Sequence, residues 1–290
     1  MVRASPFILV AALLIPTVSH AEPRARSTLS TETRRSIWRD SWPSISWIEG
    51  SAAVAGGVAT LVLALQPPPP EPRWQGGILF DDAVRGTMRL ESASARRHVR
   101  SMGDLPYYAA PAIPLLVDPL LVAWGIHGDP KTAWNLGFMG LEAFSYTGLL
   151  SFLSTRSSLR ERPDSTECRR QHPDGAGCQV DTESFWSGHT SIAAASAGLV
   201  CANHRYLSLW GHPAADATAC IWAASGALFT GVSRLSADRH YATDVIVGLG
   251  VGFGIGYAVP VLFHYSRNNT DVTVSVAPCE GSCLSVTGSF

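Results

Sequence analysis

Ser233-Arg234-Leu235-Ser236-Ala237-Asp238-Arg239-His240-Tyr241-Ala242-Thr243-Asp244 is the stretch on which the reading of this chain turns. It sets an arginine, a histidine and a carboxylate directly before a long apolar run. With the run helical from His240 onward, His240 and Asp244 stand four apart and share a face. A carboxylate there can accept a hydrogen bond from one imidazole nitrogen and fix the tautomer. The other nitrogen is then free as base, ligand or nucleophile. Arg234 is a permanent cation with a planar fork of donors, suited to an oxyanion such as phosphate. Taken alone, a His-x-x-x-Asp pair fits an ordinary helix surface better than a site, so its weight comes from the company it keeps upstream.

Two further polar clusters fall at junctions between apolar blocks: Arg156-Ser157-Ser158-Leu159-Arg160-Glu161-Arg162-Pro163 and Trp186-Ser187-Gly188-His189-Thr190. With the opening stretch they make a set suited to phosphoryl transfer, which is mainly positioning plus neutralisation of charge on the equatorial oxygens. Arg162 and Arg234 can supply bidentate cations, and Arg156 a third. Ser187 can donate its hydroxyl. Gly188 lets backbone approach the phosphate at a helix N-terminus that favours anions. His240, oriented by Asp244, can attack phosphorus and form a phosphohistidine. His189 can protonate the leaving alkoxide and later activate water. No metal ligand cluster is required for this chemistry.

The three clusters resemble the signature of the type 2 phosphatidic acid phosphatase superfamily, which also contains bacterial acid phosphatases and vanadium haloperoxidases. Its pattern is Lys, six residues, Arg-Pro; then Pro-Ser-Gly-His; then Ser-Arg, five residues, His, three residues, Asp. The third motif is complete as Ser233, Arg234, His240 and Asp244. The second keeps Ser187, Gly188 and His189, with Trp186 in place of proline, where it could line a substrate entrance. The first keeps Arg162 and Pro163, but Thr155 stands where the family has lysine, with Arg156 one place on. A one-residue slip turns a helical side chain by about 100°, so Arg156 substitutes only where the helix has frayed.

The resemblance implies an all-α bundle of about six helices, embedded in or associated with a membrane. It implies a metal-independent phosphatase acting on a phosphate monoester or pyrophosphate. The substrate would be a lipid phosphate, such as phosphatidic acid or polyprenyl pyrophosphate, or a small soluble ester. No cofactor is implied, with vanadate an inhibitor. The alternatives are a soluble periplasmic acid phosphatase, a haloperoxidase holding vanadate as cofactor, and a non-catalytic lipid-binding protein.

Composition favours the lipid-facing readings. Of 290 residues 46% are hydrophobic and only 16% charged, with a net charge of -1. Nothing in that balance offers nucleic acid a basic footprint. Residues 1–21 read as a secretory signal peptide, with a charged start, an apolar stretch and Ser19-His20-Ala21 at the cleavage position. Six cysteines suit an oxidising compartment. Cys168 and Cys178 can close a polar loop and Cys279 and Cys283 a tight tail link, whereas Cys201 and Cys220 read as buried thiols or an adventitious pair. The product is expected to be exported, either periplasmic or in a bacterial-type inner membrane with its site on the extracytoplasmic side.

Residues 22–104 read as a polar N-terminal segment with a short helix near 31–40 and one apolar helix at about 48–65, ended by four prolines. The catalytic domain is expected over 105–265. Its first block, 105–125, is broken by Pro111, Pro114 and Pro119. It is the block expected not to span, because counting every block as a span puts the first motif on the cytoplasmic side. Further helices are expected over 132–155, 187–202, 213–232 and 241–264, the last with glycines at every second position from 248 to 256. Residues 266–290 alternate like a β-hairpin. His172, His204, His212 and His264 read as surface or helix-end residues, Glu142 and Asp118 as buried hydrogen-bonded groups. Arg96, Arg97 and Arg100 read as a solvated face open to anionic headgroups.

Overall fold

Most of the apolar blocks start where a side chain can satisfy their free amides. The computed structural model describes residues 36–172, 174 and 176–265, and the backbone of 273–279 and 281–287. Helix α1 (Trp47–Leu65) opens on a capping box, in which Ser46 and Glu49 each accept from the other's backbone N–H. Short α2 (Asp81–Met88) and α3 (Ala93–Ala109, capped by Ser92) follow. Helix α4 (Pro130–Ser158) has Asp129 as cap and proline in its first turn. It ends where Leu159 turns left-handed at φ 44°. Then come α5 (Pro163–Gln171), α6 (Gly188–Tyr206), α7 (Pro213–Ser236) and α8 (Ala242–Pro260). Helix α8 runs on into a π-helical turn, Val261–Tyr265.

The proline-punctuated block does not form one straight rod. Helix α3 runs through residues 104 and 105 without a break, carrying Pro106 inside it. A π-helical segment, Ile113–Ile126, then leaves at a bend of 43°. Prolines cannot donate the amide that an unbroken helix needs, so the bend falls among them. Helices α1, α4 and α8 with its π-turn are each long and apolar enough to cross a membrane, and the bent pair qualifies when taken together. Large apolar side chains stay on the outside of these elements, among them Val58 and Leu61 of α1, Leu120 and Trp124, and Ile246 of α8.

Helix α6 is the centre, buried along most of its length and packed against α8, α7 and α4. Only part of the alternating glycine run makes that contact. A Cβ at Gly252 would lie 2.1 Å from the Ser191 carbonyl, and one at Gly256 2.1 Å from that of Ala195, whereas Gly250 and Gly254 face open space. A spacing of four keeps Gly248, Gly252 and Gly256 on one face, so two backbones touch with no side chain between them.

Some of the finer expectations need correction and others agree with the structure. Described residues of the stretch 31–40 hold no helix: Ser36 Oγ and Ile37 N both donate to Asp129 Oδ2 at 2.7 Å, drawing the chain onto the start of α4. Trp38 and Trp42 then pack with Tyr265 under the bundle. Cys201 and Cys220 are bonded, as are Cys168 and Cys178, at Cα–Cα distances of 4.4 and 5.8 Å. His204 and His264 stand at helix ends, one of the two placements expected, but are buried there rather than on the surface. His204 Nδ1 lies 2.7 Å from Asp216, and its Nε2 3.5 Å from the buried Asp118. Glu142, buried in α4, accepts from Tyr146 at 3.0 Å. Strands β1 (Thr273–Cys279) and β2 (Gly281–Thr287) pair antiparallel, Val276 opposite Leu284. The signal peptide and the Cys279–Cys283 link lie outside the described residues.

Candidate active site

Three turns carry the sequence clusters to one end of the bundle, and α3 lies against them. The cavity between them has a volume of about 260 Å³. Arg162, Glu183, Gly188, His189 and His240 form its polar end. Thr60 of α1, Tyr107 of α3, Phe144, Phe152 and Thr155 of α4 and Ile192 of α6 are among the residues of its remaining wall.

His240 is buried, and its two nitrogens meet opposite kinds of partner. Nδ1 lies 2.9 Å from the Ser184 carbonyl, which can only accept; Nε2 lies 2.9 Å from Arg162 Nη1, which can only donate. The proton therefore belongs on Nδ1, and the lone pair of Nε2 accepts from Arg162 at the cavity that both residues line. Burial, and after it the Arg162 guanidinium, push this imidazole well below its ordinary value and keep it neutral. Asp244 does not hold the histidine directly, because its Oδ2 is 3.8 Å from Nδ1. It acts one step back, accepting from Ser184 Oγ at 2.6 Å and from Tyr241 N at 2.9 Å.

Arg162, just before α5, is fixed by Asp181, 2.8 Å from its Nε, and by the Arg239 carbonyl at 3.2 Å. Asp181 also accepts from Arg239 at 2.7 Å. Burial opposes its charge, but Arg162 and Arg239 pull Asp181 down to about 2. Ser187 caps α6, its hydroxyl 2.8 Å from Thr190 Oγ1. It is buried behind Gly188, with the first amides of the helix at the cavity. Arg234 sits outside the cavity wall, donating to Asp104 at 2.7 Å and to the Arg100 carbonyl at 3.0 Å.

Arg156 points away from the cavity in this arrangement. Helix α4 is unbroken through Ser158, so Thr155 faces the cavity while Arg156 turns aside. Its guanidinium donates to the Leu63 and Gln66 carbonyls at the end of α1 and lies 3.4 Å from Glu183. Trp186 does not line the cavity either. Among the described residues no three His, Cys, Asp or Glu side chains converge as a metal site.

Residues 136–268, which hold all three clusters in this geometry, match the family model of the PAP2 superfamily. The segment belongs to that superfamily. One relative is the lipid A 1-phosphatase of Porphyromonas gingivalis, 36% identical over 87 residues. That match covers 30% of this chain and 17% of the relative's length. Among solved structures, a transmembrane PAP2 type phosphatidylglycerolphosphate phosphatase from Bacillus subtilis aligns at a TM-score of 0.47 and 18% identity, over 72% of this chain and 94% of that one.

Around the PAP2 clusters lie residues that motif reading passed over. Arg160, fully buried, donates to Asp244 at 2.6 Å, to Asp81 at 2.7 Å and to Thr243 at 2.9 Å. Trp74 and Tyr241 cover its two faces at 4.0 and 4.1 Å. Ser184 joins Asp244 to His240, and Asp104 reaches the site from α3. Their only sequence signals were weak: an arginine two places before Arg162, a serine three before Ser187, and one acid after a run of bases.

Proposed function

We propose that this protein is a phosphatase that hydrolyses a lipid phosphate through a phosphohistidine on His240. The observation that carries the reading is the placement of His240, whose Nδ1 meets a carbonyl while its Nε2, accepting from Arg162, lies at a cavity shared with the N-terminus of α6 and His189. Nε2 attacks phosphorus as the bond from phosphorus to the leaving oxygen breaks, and that oxygen takes the proton from His189. His189 then removes a proton from water, the water oxygen attacks phosphorus, the phosphorus–nitrogen bond breaks, and phosphate leaves with His240 neutral again. Arg162 neutralises the equatorial oxygens, and Arg234 joins it once its contact with Asp104 loosens.

The lipid substrate is supported by the apolar and aromatic side chains that α3, α4 and α6 give the cavity wall, Tyr107, Phe144, Phe152 and Ile192. The outward apolar faces of the long helices support placement in a membrane. The Cys168–Cys178 disulfide, between α5 and the second motif, favours an extracytoplasmic site. A relative acting on a lipid phosphate, as its name states, agrees with this.

The test is phosphate release in detergent from phosphatidic acid, polyprenyl pyrophosphate and soluble esters, with His240→Ala and His189→Ala beside the wild type. Release is expected from a lipid substrate, with loss in both variants and inhibition by vanadate. Undiminished release by His240→Ala rejects the mechanism, and halide oxidation with added vanadate would move the protein to the haloperoxidase class.

A further inference from the structure

Helix α3 brings a carboxylate to the histidine opposite the nucleophile. Asp104 Oδ1 lies 2.7 Å from Arg234 Nη2 and 3.6 Å from His189 Nε2. One turn on, Tyr107 lies against the His189 ring, centroids 4.2 Å apart and planes at 37°. Positions 104 and 107 share a helix face. The approach depends on Gly103, where a Cβ would fall 1.7 Å from Ser233 Oγ and 3.0 Å from Arg234 Nη2. Glycine at that point lets α3 set its next residue between the Arg234 and His189 side chains.

We propose that Asp104 is the positioning residue for His189, holding a proton on Nε2 for delivery to the leaving oxygen, with Tyr107 fixing the ring. This deepens the phosphatase reading and rests on it. The groups that face His189 are Arg234 from α7, Arg162 before α5, His240 before α8, and Asp104 and Tyr107 from α3, with Glu183 on the same cavity. Burial, then Arg234, His240 and Arg162, depress the imidazole to about 3, and Asp104 opposes them. A general acid must keep its proton until the bond to the leaving group breaks. Substrate phosphate supplies one compensating charge and Asp104 a second. Because Asp104 also engages Arg234, release of that arginine to the phosphate leaves the carboxylate to the histidine.

The experiment uses the full chain in detergent, with Asp104→Asn and Asp104→Glu. Turnover and KM are measured against pH for a short-chain alkyl phosphate and for p-nitrophenyl phosphate, whose phenolate departs without a proton. Asp104→Asn is expected to lower kcat about 10- to 100-fold on the alkyl ester and by less than about threefold on the aryl ester. The basic limb of its alkyl profile should move to lower pH, and Asp104→Glu should recover most of the loss. Equal losses on both esters with an unmoved limb would reduce Asp104 to a support of the fold. A lower KM and higher kcat/KM on both would make it a plug on the phosphate site instead. His240→Ala is run alongside: if it releases phosphate like the wild type, the underlying mechanism fails, whatever Asp104 does.

Discussion

Arg160 Nη1 lies 2.6 Å from Asp244 Oδ1, and neither side chain touches solvent. The same guanidinium reaches Asp81 through its other terminal nitrogen. One cation therefore pairs with two buried carboxylates, one from α2 and one from α8, behind His240.

Removing that cation leaves both carboxylates buried without a counter-charge, with only neutral donors on them, which is among the costlier single changes available to a fold. Arg160→Ala is expected to destabilise by about 3–5 kcal/mol, and Arg160→Lys by less, since an ammonium cannot span both acids. Thermal unfolding in detergent reads the effect. An Arg160→Ala protein melting with the wild type would refute the bracing role.

Arg156 and Thr155 should behave in opposite ways. Arg156→Ala is expected to leave KM for substrate unchanged and to lower stability by about 1 kcal/mol, through lost bonds to the end of α1. Thr155→Lys puts an ammonium into the cavity and should lower KM for phosphate esters and strengthen inhibition by vanadate. Steady-state kinetics on the two variants decide it. A raised KM in Arg156→Ala with no change in Thr155→Lys would restore the role expected from the sequence.

Glycines on one helix should divide sharply. Gly252→Ala drives a methyl into the Ser191 carbonyl and is expected to cost more than about 2 kcal/mol. Gly254→Ala, with nothing within 4 Å, should be neutral or stabilising by up to about 1 kcal/mol, the helix preference of alanine over glycine. Melting temperatures of the pair are the measurement, and equal shifts would deny the close seam.

Acid should destabilise the ligand-free protein through His189. Its imidazole is depressed from 6.5 to about 3 in the fold, so between those values the unfolded chain binds more protons. The contribution is present in full above pH 6.5 and is lost as pH falls through that interval toward 3. His189→Gln should flatten this part of the stability–pH curve, and bound vanadate should do likewise by favouring the protonated ring. An unchanged slope in His189→Gln would place the titration elsewhere.

The fold and the chemical half of the site were legible because they rest on short-range signals. Helical blocks follow apolar runs and caps, and the three clusters keep their order and spacing. Even the facing of Thr155 into the cavity follows from helical phase, given that α4 does not fray. What stayed hidden depends on pairings across long separations. Asp104 finds Arg234 130 positions away and Arg160 finds Asp244 84 away, and no periodicity announces either. The partner of His240 Nδ1 was misassigned for a related reason. Spacing of four suggested Asp244, but the ring lies just before α8 begins, and a main-chain carbonyl, which carries no residue-type signal, reaches it first.

The contact between α6 and α8 has a consequence for how such a protein can change. His189 rides on the first turn of one helix, and His240 just precedes the other. Their separation is gauged by two main chains in touch, so no side-chain rotamer can loosen it. The wall opposite, built from α1 and α4, bears neither histidine. Substitutions there can recut the space beside the two histidines while the distance between His189 and His240 stays the same. New specificities can thus be tried on one side of the cavity without retuning the chemistry on the other.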